Sequence, residues 1–193
     1  MNNRSEPLSA RIQRVLQEKI SLVRYDSRWP AMFEQEKAFL LSVLPRDIIR
    51  RIEHFGSTAV PGMSAKPIID MLVEVNELVE VKRRIVPLLE QRGYEYFWRP
   101  SFGDETTPYY AWFIKRDAQG ARTHHIHMIE SHSKQWDALL FRDYLIAHPP
   151  CASRYEDLKQ HLARTYPHDR ESYTREKGVF IQEITRRIRQ GTD

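Results

Sequence analysis

Asp70 stands inside the apolar run Ile68-Ile69-Asp70-Met71-Leu72-Val73. A carboxylate buried in such a run is costly unless it is paired, hydrogen-bonded or bound to a metal. A dozen residues earlier lies Gly56-Ser57-Thr58-Ala59-Val60-Pro61-Gly62. Glycine lets the backbone approach a ligand closely, and free N–H groups at a following helix start bind phosphate oxygens. Ser57 and Thr58 add hydroxyl donors, while Lys66 and Arg142 are candidate cations for a phosphate. Bland alternatives stand beside this reading. Asp70 caps the 56–62 turn or pairs with Lys66 or an arginine, and Arg142 pairs structurally with Asp143 on a helix.

The second group is Thr123-His124-His125-Ile126-His127-Met128. In a strand, residues two apart share a face, so His125 and His127 point together and His124 points the other way. Imidazole pairs suit Zn, Mn, Fe or Ni better than Mg, which prefers oxygen. Asp70 with His125 and His127 makes a two-histidine, one-carboxylate set that is a candidate for both metal binding and catalysis. The alternative is two exposed or hydrogen-bonded histidines on a half-buried strand. A His-x-His-x-His nucleophile pattern is broken by Ile129. Trp98, Tyr109, Tyr110 and Trp112 can stack on a base or simply pack a sheet. Cys151, after Pro149-Pro150, has no base pattern near it in sequence.

These residues need elements to hold them. Apolar positions Leu8, Ile12, Val15, Leu16 and Ile20 have helical spacing over 6–20. A short strand is expected at 21–25, then a helix from Trp29-Pro30 to Leu44, ended by Pro45. Residues 48–55 alternate as a half-buried strand, 56–62 form a turn or short helical link, and 67–75 read as a central strand. A helix over 77–92 stops at Gly93. Strands are expected at 94–98, 108–115 and 122–130, with Asp104 and Gly120 in the turns between them. Helices follow at 136–147, 153–165 and 170–189. The outline is α+β: a mixed sheet with flanking helices over about 21–132, then a helical C-terminal third over 133–190, in one domain spanning 1–193.

Composition sets the outer bounds. The chain has 193 residues, 41% of them hydrophobic and 29% charged, with one cysteine. A disulfide-stapled secreted fold and a cysteine-rich zinc module are excluded. The polar N-terminus has no apolar h-region and no stretch approaches a membrane span, so the cytoplasm is the expected compartment. The net charge of +4 is dispersed, which does not support a nucleic-acid partner. Arg186, Arg187 and Arg189 read as a solvated helix end beside Glu183.

Taken together, these motifs resemble a family. Gly-Ser followed by Asp on an apolar strand resembles the nucleotidyltransferase-fold superfamily. Gly56 to Gly62, Ala65 to Asp70, the His125-x-His127 strand and Phe141-Arg142-Asp143-Tyr144-Leu145 are similar to the GrpB-like family, from about Leu22 to Ile184. Some members of that family are fused to dephospho-CoA kinase. The resemblance implies a nucleotidyltransferase-like mixed sheet and a pocket for a nucleotide or phosphorylated small molecule. It also implies a divalent metal (Mg, Mn or Zn) as candidate cofactor and metal-dependent nucleotidyl transfer as the candidate reaction. One departure matters. Active superfamily members carry Asp-x-Asp/Glu on this strand, whereas here the second position is Leu72, and Glu74 lies one step too far along. The rival expectation is therefore a non-catalytic binding or accessory module that senses a ligand or serves a protein partner.

Overall fold

The computed structural model describes residues 6–101 and 108–191; Asp104, expected in a turn, lies outside the described residues. Five strands form one sheet: β1 (Ile49–Phe55), β2 (Ile69–Val75), β3 (Glu95–Pro100), β4 (Tyr109–Arg116) and β5 (Arg122–Glu130), in the order β1-β2-β5-β4-β3. Only β2 and β5 run parallel; the other neighbours are antiparallel. The sheet is thus mixed, as expected for an α+β fold. A type of turn built on Asp117 and Gly120 joins β4 to β5, with the Gly120 N–H donating to the Asp117 carbonyl at 3.0 Å. Gly120 sits at φ +82°, a conformation glycine adopts without penalty.

Strand alternation sends two sets of side chains to opposite faces. Ile69, Met71, Val73, Phe113, Ile126 and Met128 pack into the main core with helix α2 (Trp29–Val43). The other face carries Asp70, Leu72, Tyr110, Trp112, His125 and His127. Helix α1 (Leu8–Gln17) meets this face through Val15, which packs with Leu72, Trp112 and Ile129. The C-terminal helices α5 (Asp137–Ala147), α6 (Pro149–Thr165) and α7 (Arg170–Gln190) share a further cluster with Val60 and Met63. That cluster ties them to the link after β1.

Three elements differ from the sequence expectation. Residues 21–25 contribute only a single bridge, Val23 to Ala65, instead of a strand. The helix expected over 77–92 is broken into α3 (Leu78–Glu80), a π-helical turn (Val81–Ile85) and α4 (Val86–Glu90). Pro87 explains the turn, because it has no N–H and its ring would clash with the carbonyl four residues back. Helix α6 starts at Pro149, four residues before the expected Ser153, since proline suits a helix's first turn.

Candidate functional site

The parallel register of β2 and β5 sets Asp70 opposite His125 and Leu72 opposite His127. His125 Nδ1 lies 3.0 Å from Asp70 Oδ1, and His127 Nε2 lies 3.9 Å from the same oxygen. One ligand atom from each of the three residues falls within 4.8 Å of the others. Two atoms that each bind one metal at about 2.0–2.2 Å are separated by roughly 3–4 Å, and the separations of Asp70 from each histidine, 3.0 and 3.9 Å, fall in that range. Neither ring nitrogen of His127 has a hydrogen-bond partner, although both are buried. An imidazole in that state still has a lone pair to give.

The ring environment holds both histidines neutral. Burial lowers His125 to about 4, against a partial upward pull from its Asp70 hydrogen bond. Burial lowers His127 to about 3. For Asp70, burial works upward, but the hydrogen bond from His125 and the charge of Lys66 work against it, and its carboxyl ends well below the usual range. Tyr110 stacks on His127 with ring centroids 5.4 Å apart, and the Trp112 ring meets His125 edge-on at 5.0 Å. Phe55 closes the other side of His127 at 5.2 Å. Behind His125, Arg122 NH1 approaches Nε2 at 3.5 Å, while Arg122 is itself held by Glu18 at 2.5 Å and by the Val15 carbonyl at 2.5 Å.

The expected phosphate-binding residues divide. Gly56 belongs to the site: it has φ +74°, and a Cβ there would sit 2.8 Å from Asp70 Oδ2. This close approach is why the chain has glycine at 56. Lys66 also belongs, since Asp70 feels its charge at the entrance to β2. The hydroxyl of Ser57 is engaged by the buried Tyr155 phenol. Thr58 is buried, its hydroxyl donating to the Ile68 carbonyl at 3.3 Å and meeting His54 Nε2 at 3.0 Å. Arg142 turns to β1, donating to the His54 carbonyl at 2.6 Å and pairing with Asp143 at 2.7 Å. The structure therefore brings Gly56, Asp70, His125 and His127 together, with Lys66 close enough for Asp70 to feel its charge, and holds Arg142 against β1 at His54 and Glu53.

Leu72 is fully buried in the apolar cluster with Val15, Phe97 and Trp112. Glu74, one step further, is taken by Arg51 at 2.6 Å. Trp98 and Tyr109 stack on each other at 5.8 Å, with Lys82 over the Trp98 ring. Cys151 is buried among Val60, Phe141 and Tyr155.

Sequence reasoning missed Tyr155, Arg170, Tyr173 and Lys177, whose positions depend on how α6 and α7 fold back. Lys66 Nζ lies 5.7 Å from the Tyr173 ring centre and Lys177 Nζ lies 5.6 Å from it. The segment before Lys66 is pinned by α6: Lys159 Nζ donates to the Ser64 carbonyl at 2.5 Å, and Ser64 N–H donates to Glu156 at 3.1 Å. A charge pattern along α7 was the available signal, but no single sequence says which strand a distant helix covers.

The family model described as "GrpB protein" matches residues 19–187. The "Glutamate-rich protein GrpB" of Alkalihalophilus pseudofirmus is 36% identical over 167 residues, covering 86% of this chain and 94% of that one. A crystal structure of the conserved protein GrpB from Enterococcus faecalis aligns with TM-score 0.71 and 32% identity, over 87% of this chain and 96% of that one. A "Dephospho-CoA kinase" of Mycolicibacterium paratuberculosis is 26% identical over 187 residues, which is 87% of this chain and 46% of that protein. Among the described residues, no helix is long and apolar enough to cross a membrane.

Proposed function

The chain belongs to the GrpB family, and from that premise we propose that it binds a nucleotide or other phosphorylated small molecule in the Asp70 pocket. The observation that carries this reading is the convergence of Asp70, His125 and His127, with both ring nitrogens of His127 buried and unpartnered. A buried polar atom without a partner costs about 1–3 kcal/mol, which a ligand or ion relieves when it binds. Asp70, His125 and His127 would hold a divalent ion. Such an ion would supply Lewis-acid charge for phosphate oxygens.

The chain's own residues do the rest. Gly56 clears the space beside the carboxylate, Lys66 adds positive charge at the strand entrance, and Tyr110, Trp112 and Phe55 keep water from the imidazoles. His125 gives its Nδ1 proton to the hydrogen bond with Asp70 and takes contact from Arg122 at Nε2. Ligation through Nδ1 requires that proton to leave or move to Nε2, against the Arg122 contact.

Leu72 favours a second reading, in which the ligand is held without turnover. An apolar side chain at this depth supplies no second acid for a two-metal phosphoryl-transfer site. Binding for sensing, or in support of a protein partner, then replaces nucleotidyl transfer.

The test pairs thermal shift with pyrophosphate release, using each nucleoside triphosphate with Mg²⁺, Mn²⁺ or Zn²⁺. Saturation to a hundredfold over Kd stabilises by about 2.7 kcal/mol, or roughly 5–10 °C for a chain of this size. Asp70→Asn and His127→Ala are expected to abolish that shift. Unchanged shifts in both variants would remove the site, and shifts without pyrophosphate release would select the second reading.

A further inference from the structure

We propose that Lys177, with Lys66, forms a subsite on the C-terminal helix for a condensed phosphate, a diphosphate or longer chain, beside Asp70. This rests on the reading of the Asp70 pocket as a phosphorylated-ligand site and names the part of the ligand it would hold.

Arg170, Tyr173 and Lys177 lie at i, i+3 and i+7 on α7, so one face of the helix presents all three. Tyr173 is almost wholly buried and fixes the helix at this spot. The two lysines reach the same Tyr173 ring from separate elements, one from the entrance to β2 and one from α7. Arg170 has its own partners: its Nε donates to the Glu18 carbonyl at 2.8 Å, and its NH2 lies 3.8 Å from the Glu18 carboxylate. Neither lysine ammonium has a hydrogen bond or ion pair among the described residues, and both lie over the Tyr173 ring.

Both lysines are half-buried, and their ammoniums converge on one ring. Burial brings Lys66 down to about 7, with Lys177 adding repulsion, and burial also lowers Lys177. Asp70 is the carboxylate that both sense, and it is already committed to His125. Two partly buried cations that share a single carboxylate are an arrangement that a multiply charged anion stabilises. Two separate ammoniums suit an anion with charge spread over more than one phosphorus. The surroundings are rigid, because Lys159 and Glu156 of α6 hold the backbone just before Lys66.

The experiment uses the full chain and metal-free inorganic probes. Isothermal titration with pyrophosphate and with orthophosphate is compared for wild type, Lys177→Met and Lys177→Arg. Charge-assisted hydrogen bonds contribute about 1.5–3 kcal/mol each, so pyrophosphate is expected to bind at least about tenfold more tightly than orthophosphate. Lys177→Met should weaken pyrophosphate by about tenfold or more, while Lys177→Arg, which keeps the charge, should stay within about threefold. Circular dichroism confirms that both variants are folded. Equal affinity for the two anions, no binding of either, or no effect of Lys177→Met overturns the subsite. The pocket reading fails separately: it falls if wild type shows neither nucleotide nor metal shifts, and it stands if those shifts persist in Lys177→Met while pyrophosphate affinity is unchanged.

Discussion

The sheet carries a charged cluster on each face, and the two are built differently. On the α2 side, Glu36 is buried and both of its carboxylate oxygens are used, one by the Tyr94 hydroxyl and one by the Lys115 ammonium. On the other side, Asp70 holds His125, but His127 has two unpartnered nitrogens, and Lys66 and Lys177 form no ion pair among the described residues and share Asp70 as the carboxylate they sense. The first cluster closes on itself, so its role is to hold α2 to β3 and β4. The second is left open within the fold, and the proposal of a binding site there rests on that difference. Sequence position alone does not distinguish them, because both are single carboxylates near an aromatic and a lysine.

The comparison breaks most visibly on the closed cluster. Glu36→Ala leaves the Tyr94 hydroxyl and Lys115 without their acceptor and should cost about 3 kcal/mol, read as a fall of roughly 6–12 °C in Tm by calorimetry. Ligand and metal shifts should survive at temperatures where the variant is folded. Gly56→Ala comes next. It forces an alanine to φ +74° and sets its Cβ against Asp70, so a loss of about 2 kcal/mol is expected in chemical denaturation, together with weaker nucleotide binding. Asp70→Asn should cost about 1 kcal/mol or less, because the amide oxygen still accepts from His125. If Asp70→Asn destabilised as much as Glu36→Ala, the open cluster would be structural as well.

The smallest effect is in the pH dependence. A lysine held at about 7 in the fold, against its ordinary 10.5, binds fewer protons folded than unfolded across that window. Stability therefore rises as pH increases from about 7 toward 9.5. Lys159, also held at about 7 by burial, contributes in the same direction. Lys66→Met should flatten the rise without removing it, as measured by urea midpoints at successive pH values. An unchanged slope would mean that Lys66 is not withdrawn from water.

Much of this was legible in the sequence. The alternation of β2 and β5 put Asp70 with one face and separated His125 and His127 from His124, as found. Gly56 was readable as a close-approach glycine, although the sequence pointed to a ligand and the structure gives Asp70 as the neighbour. The pairing of β2 with β5 in register was not, since parallel neighbours are joined by a long connection that passes through two other strands. Arg142 shows the same limit from the other side: its motif sits in the resemblance, yet its guanidinium goes to the His54 carbonyl and Asp143. Lys177 was invisible for a third reason. Nothing local marks a helix residue that meets the ring shared with Lys66 more than a hundred residues later in the chain.

Ring-nitrogen NMR on ¹⁵N-histidine-labelled protein, titrated with Zn²⁺, tests the open site most directly, because β5 provides its own control. His124 lies on the closed face, with its ring at Thr123 and Glu36 nearby. The account predicts that His125 and His127 resonances move together at stoichiometric metal while His124 stays in place, and that Asp70→Asn abolishes the change. Unmoved His125 and His127 signals, or a shift shared equally by His124, would contradict it.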